Sequence, residues 1–179
     1  MQKGLLLNKK GTKLIWAVPA KNKITVPDSV TSIADNALKA GKATSVYLGK
    51  KVKMIGKDAI AGKKITKVSI AKKNKSIAKQ GQCVYEKKSG KLLIAIAKKN
   101  VVKIGNKVKL ISEDASLCGS RQLKKLDIGA SVKTLQGAWG EFYRAGYVTT
   151  KVYFRSKNPP KLTQNNDKNY CYLPIFRDV

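Results

Sequence analysis

Residues 24–80 read ITVPDSVTSIADNALKAGKATS from Ile24, VYLGKKVKMIGKDAIAGKKITK from Val46, and VSIAKKNKSIAKQ from Val68. Aligned at this spacing of 22, the apolar positions coincide. Ile24, Val46 and Val68 form one column, and Val26, Leu48 and Ile70 a second. Ile33, Ile55 and Ile77 form another, while Val30 and Val52 share theirs with one polar exception, Asn74. A fixed apolar skeleton returning every roughly 20 to 30 residues marks a repeat architecture. A unit this short cannot bury its own apolar side chains, so each must stack on the next and the expected core is one continuous column. The V-x-I at each unit start alternates with period two, as a short strand with one buried face does. Successive units then lay these strands side by side and parallel. Asn74 is expected to mark where the regular stack loosens, just before the second hairpin.

The wording of the unit is specific. Ile65-Thr66-Lys67-Val68-Ser69-Ile70 and Leu123-Lys124-Lys125-Leu126-Asp127-Ile128 fit the core L-x-x-L-x-L. The stretch I-T-V-P-D-S-V-T-S-I-A-D-N-A-L resembles the BspA-like subclass of leucine-rich repeats, with Pro27, Val30, Ile33 and Ala37 at that subclass's offsets. Leu38 and Ile60 stand where the subclass favours Phe. The resemblance implies a right-handed solenoid of α/β or mostly-β type. It would have one short strand per repeat in a parallel sheet, short helical turns or loops on the other side, and two inserted β-hairpins.

Outward from this stretch the pattern is nested. Residues 4–22, GLLLNKKGTKLIWAVPAKN, place two apolar runs around Asn8-Lys9-Lys10-Gly11-Thr12, the composition of a hairpin turn. The arrangement returns 78 residues later as CVYEKKSGKLLIAIAKKN, so that Leu14 meets Leu92, Ala17 meets Ala95 and Val30 meets Val108. The chain therefore divides into a hairpin (4–22), repeats (24–45, 46–67, 68–80), a second hairpin (83–99), repeats (102–125, 126–151) and a terminal strand with cap (152–179). All of it reads as one solenoid over 1–179. Pro159-Pro160 is expected to end the ladder, Trp139 to fill a bulky core slot, and Tyr170-Cys171-Tyr172-Leu173-Pro174 to cap the end.

Catalysis finds little to work with. There is no His, and none of the ten carboxylates recurs as a close pair from repeat to repeat, whereas acid–base chemistry needs two tuned groups within reach of one bond. Asp35, Asp58 and Glu113 or Asp114 precede Ala37, Ala59 and Ala115, where they are expected to start helical turns. Cys83, Cys118 and Cys171 lack metal-ligand spacing; one bridge plus a free thiol, or three buried thiols, fits the count. The reading is non-enzymatic, with no cofactor and no metal, and no apolar run approaches the ~20 residues of a membrane span.

What remains is surface. Alternation turns the middle residue of each strand, and the one before the strand, away from the core. The expected exposed ladder is Lys23 and Thr25, Ser45 and Tyr47, Lys67 and Ser69, Val101 and Lys103, Lys125 and Asp127, Lys151 and Tyr153. The formal charge is +28, and all but four of the 38 basic residues are Lys, a hydrated point charge rather than a base-reading fork. Residues 39–110 alone carry a net +19. The resemblance implies a non-catalytic binding or adhesion scaffold of a bacterial surface or secreted protein. The exposed sheet face would meet a protein or glycan on a host or neighbouring cell. It also implies an extracellular or cell-surface location and a chain that is part of a larger exported protein. The charge offers an alternative, electrostatic binding of a cell-wall polymer, sulfated glycan or non-specific nucleic acid through 39–110.

Overall fold

Each V-x-I segment is β-branched and alternating, so it extends, buries every second side chain and leaves its backbone edge for the next copy. A computed structural model describes residues 4–18, 22–38, 42–61, 64–119, 123–136, 151–158 and 160–163. The first block holds β1 (Leu5–Leu7), β2 (Lys13–Ala17), β3 (Lys23–Thr25), β4 (Ser32–Ile33), β5 (Ser45–Leu48), β6 (Met54–Ile55) and β7 (Lys67–Ile70). The second begins with β8 (Ile77–Gln80), β9 (Cys83–Glu86), β10 (Leu92–Ile96), β11 (Val101–Ile104) and β12 (Leu110–Ser112). It continues through β13 (Ser116–Cys118), β14 (Lys125–Ile128), β15 (Thr134–Gln136), β16 (Lys151–Phe154) and β17 (Lys161–Thr163).

The chain winds as a β-solenoid with parallel sheets. Strands β3, β5 and β7 pair in parallel with Ile24, Val46 and Val68 in register. On a second side β2, β4 and β6 pair in parallel, aligning Leu14, Ile33 and Ile55. The second block repeats both sheets as β11-β14-β16 and β12-β15-β17. Regular coils thus carry two strands rather than one. Among the described residues the segments expected to be helical are turns. Pairing also resumes past Pro160, since β17 begins at Lys161 and pairs with β15; the proline lies just outside the strand, so its missing N–H removes no ladder bond. Trp139, Cys171 and the expected cap at 170–174 lie outside the described residues.

The offset of 78 is reproduced in hydrogen bonding. Leu5↔Ala17 and Leu7↔Leu14 in the first hairpin become Cys83↔Ala95 and Tyr85↔Leu92 in the second. The Val18 N–H donates to Gly4 O at 2.8 Å, and the Ile96 N–H donates to Gln82 O at the same distance. The hairpins differ in burial. Strand β2 is buried on one face only, whereas every residue of β10 is buried. Val84, Leu93, Ile94 and Ile96 pack into the first core cluster, and Cys83, Leu92, Ala95 and Ala97 into the second. The expected single column is therefore two cells with the second hairpin as the wall between them.

The regular stack does end just after Asn74, but Asn74 itself is firmly held. It is 3% exposed, and its Nδ2 donates to Gly49 O and Val52 O, both at 2.9 Å. Its Oδ1 accepts from the N–H groups of Ser76 and Ile77 at 2.9 and 3.0 Å. The side chain ties the turn of one coil to the departure of β8 from the next. Beyond it Ile77 leaves its column and pairs opposite Glu86 in the antiparallel β8–β9 ladder. Asn74→Val would complete the apolar column but strand two carbonyls and two N–H groups. Chemical denaturation should show a loss of about 2 kcal/mol or more; an unchanged midpoint would mean that these bonds contribute nothing to the stack.

Candidate ligand-binding face

The outward positions of the strands form straight rows because the register is strict. Lys23, Ser45 and Lys67 are aligned across β3-β5-β7, as are Thr25, Tyr47 and Ser69. Val101, Lys125 and Lys151 are aligned across β11-β14-β16, as are Lys103, Asp127 and Tyr153. All twelve are exposed or half-buried. The rows do not form one ladder, because β8, β9 and β10 intervene and leave two three-stranded segments.

The segments differ electrically. The outward rows of β3-β5-β7 contain no carboxylate, and the Lys23 ammonium stands 6.0 Å from the Tyr47 ring centroid. In the second segment Asp127 accepts from Arg155 Nε and Nη2, both at 2.7 Å. That fork, ahead of burial working the other way, holds the Asp127 carboxyl below its ordinary value of 3.8. The Lys125 ammonium lies 4.2 Å from the Tyr153 ring centroid and the Arg155 guanidinium 5.7 Å from it. The second segment thus neutralises part of its own charge, and the first does not.

Sequence reasoning missed two residues of this face. Arg155 follows Lys151 and Tyr153 at the same spacing of two, so alternation was a signal for it. Lys79 had none. It belongs to β8, yet its ammonium donates to Val68 O at 2.9 Å, on the side of β7 left open by the break. Partial burial, then the nearby Lys98 and Lys67 charges, lower the Lys79 pKa.

The turn acids do not begin helices. Asp28 Oδ1 accepts from the Lys50 N–H at 2.8 Å and Asp35 Oδ1 from the Lys57 N–H at 2.9 Å, each one coil ahead. The Lys50 N–H is the main reason the Asp28 carboxyl titrates below 3.8. Asp58 sits at φ 51° with Oδ1 buried and unpartnered. Lys57 pairs with Glu113 at 3.5 Å and Lys91 with Asp114 at 2.6 Å, joining distant coils. Cys83 and Cys118 are free buried thiols. Burial pushes Cys83 up to about 11 and Cys118 further, so neither is a thiolate at neutral pH. Among the described residues no three His, Cys, Asp or Glu side chains are grouped to hold a metal. No helix there is long and apolar enough to cross a membrane.

Parallel strands repeated at a fixed spacing, with short turns and a variable outward row, define a leucine-rich-repeat solenoid. The sequence profile of the BspA type Leucine rich repeat region matches in six copies over residues 17–139, and the chain belongs to that family. No curated protein matches the chain. Among solved structures the chain is similar to a leucine rich cell surface protein from Faecalibacterium prausnitzii A2-165, with 21% identity and a TM-score of 0.47. That match covers 64% of this chain and 31% of the other.

The Asp127–Arg155 pair makes a pH signature. A depressed carboxyl contributes stability that is complete above the unfolded value near 3.8 and is lost as pH falls through the lower folded value. Asp127→Asn should lower Tm by about 2 °C at neutral pH. The gap from the unsubstituted protein should close as pH drops below 3.8, and a gap constant with pH would show that the carboxylate charge is not its source.

Proposed function

We propose that this protein is a non-catalytic binding scaffold, exposed on a bacterial surface or carried by a secreted protein. Its ligand face is made by the outward rows of β3-β5-β7 and β11-β14-β16. The observation that carries this reading is the separation of labour within each strand. Ile24, Val46, Val68, Val102, Leu126 and Val152 are buried in fixed columns, while their neighbours in the chain stand in register towards solvent. Such a face changes its side chains without disturbing its core. Tyr47 and Tyr153 supply flat amphipathic surface among lysines, which suits a protein or glycan on a host or neighbouring cell. Family membership and the absence of an acid–base pair in the sequence favour binding over catalysis. A panel of matrix proteins and glycans should identify a partner whose affinity falls about tenfold in Thr25→Ala/Tyr47→Ala/Ser69→Ala. A Lys9→Ala/Lys10→Ala control in the hairpin turn should leave that affinity unchanged. Equal binding by both variants would remove the sheet face from the interaction.

A second reading rests on Lys67, Lys79 and Lys98. These cations lie near one another at the break in the face, and no carboxylate is paired with them in the ion pairs of the described residues. Like charges held together without a counter-charge favour an anionic group. A linear polyanion, such as a cell-wall polymer or sulfated glycan, would cross the break here. Heparin affinity followed through a salt series should then fall steeply. Lys67→Gln/Lys98→Gln should reduce the slope of log K against log salt by about 1.5 to 2. Affinity independent of salt would eliminate this reading.

A further inference from the structure

Large exposed apolar side chains are concentrated at the first hairpin: Leu6 is 45% exposed, Ile15 41%, Trp16 38% and Val18 57%. Shifted by 78 residues, these four positions are Val84, Leu93, Ile94 and Ile96, which are 0%, 8%, 0% and 2% exposed. The four buried side chains are the ones that the wall hairpin turns towards the preceding coils, in the first core cluster with Ile60, Ile65 and Ile77. On the opposite face the two hairpins agree. Leu5, Leu14 and Ala17 are buried, as are Cys83, Leu92 and Ala95.

The backbone tells the same story. Strand β1 ends its sheet with one edge unpaired among the described residues. The matching edge of β9 is paired antiparallel with β8, in the register Ala78↔Tyr85, Lys79↔Val84 and Gln80↔Cys83. Strand β8 enters β9 through the two residues Gly81 and Gln82, with Gly81 at φ 56°. The first hairpin therefore has the side chains and the free edge of an internal wall.

The geometry points to the Leu6, Ile15, Trp16 and Val18 face as a docking surface for a further repeat coil of the same kind, ending in a β8-like strand that pairs with the β1 edge. A second copy of the chain is a poorer occupant, because two bodies of formal charge +28 repel. A coil seated in this way would pair the β1 edge and bury the four side chains, as the coil ending in β8 does for Val84, Leu93, Ile94 and Ile96.

The test joins a copy of residues 46–82 directly ahead of Leu5, with Trp139→Phe so that Trp16 is the sole tryptophan. In the unextended Trp139→Phe chain Trp16 should emit as a solvated indole and be readily quenched by acrylamide. In the extended chain its emission should shift to the blue and quenching should fall severalfold. Replacing the added copy of Ile77 by Lys should restore quenching while circular dichroism shows the original coils intact. Equal quenching of Trp16 with and without the added coil, at unchanged circular dichroism, would overturn the proposal. So would an unextended chain that sediments as a dimer and becomes monomeric on Trp16→Glu, since a second copy would then be the occupant.

Discussion

Every coil in this protein depends on the next for the hydrogen bonds of its turns. A turn that follows a strand leaves carbonyls and N–H groups pointing along the stack, and burial without partners is costly. Here the partner comes from about one repeat away. Asp28 and Asp35 take the N–H groups of Lys50 and Lys57. Ser131 donates to Gly105 O at 3.3 Å and Val108 O at 2.8 Å, the positions that Asn74 serves at Gly49 O and Val52 O. Polar residues at the turns are thus the clamps between coils. Apolar columns hold the coils together without fixing their register; the clamps and strand ladders fix it.

The two hairpins show how one sequence pattern serves two positions. The second hairpin closes one core cell and opens another, so both of its faces must be apolar. Gln80 continues the clamping across it, accepting from the Lys107 N–H at 3.2 Å and donating to Asn106 Oδ1 at 2.8 Å. The first hairpin is likewise apolar on both faces but packs only one of them within the described structure.

Charge is distributed by the same alternation. Lysines fill outward positions, where a long hydrated cation is tolerated and its stem covers apolar surface. The sequence sets only ten carboxylates against its 38 basic residues. The clamping role of Asp28 and Asp35 and the fork at Asp127 commit several of those carboxylates to structure. The β11-β14-β16 segment is partly self-neutralised by Asp127, while the β3-β5-β7 segment and the break beside Lys79 remain cationic. That contrast separates the two halves of the face electrically.

The sequence alone determined the solenoid, its coil length, the 78-residue duplication and the outward rows, because periodicity is a local property that each copy states again. Lys23, Thr25, Ser45, Tyr47, Lys67 and Ser69 fall where alternation placed them. Tertiary structure decided what depends on neighbours far apart in the chain. It gave each regular coil a second strand, divided the core into two cells and broke the face at β8. It made Asn74 a clamp by placing two carbonyls of the previous coil beside it. It brought Lys79 onto the β7 edge and exposed Trp16 where Ile94 is buried. Equivalent apolar positions read alike in sequence, and only the presence or absence of a coil against them sets whether they are core or surface.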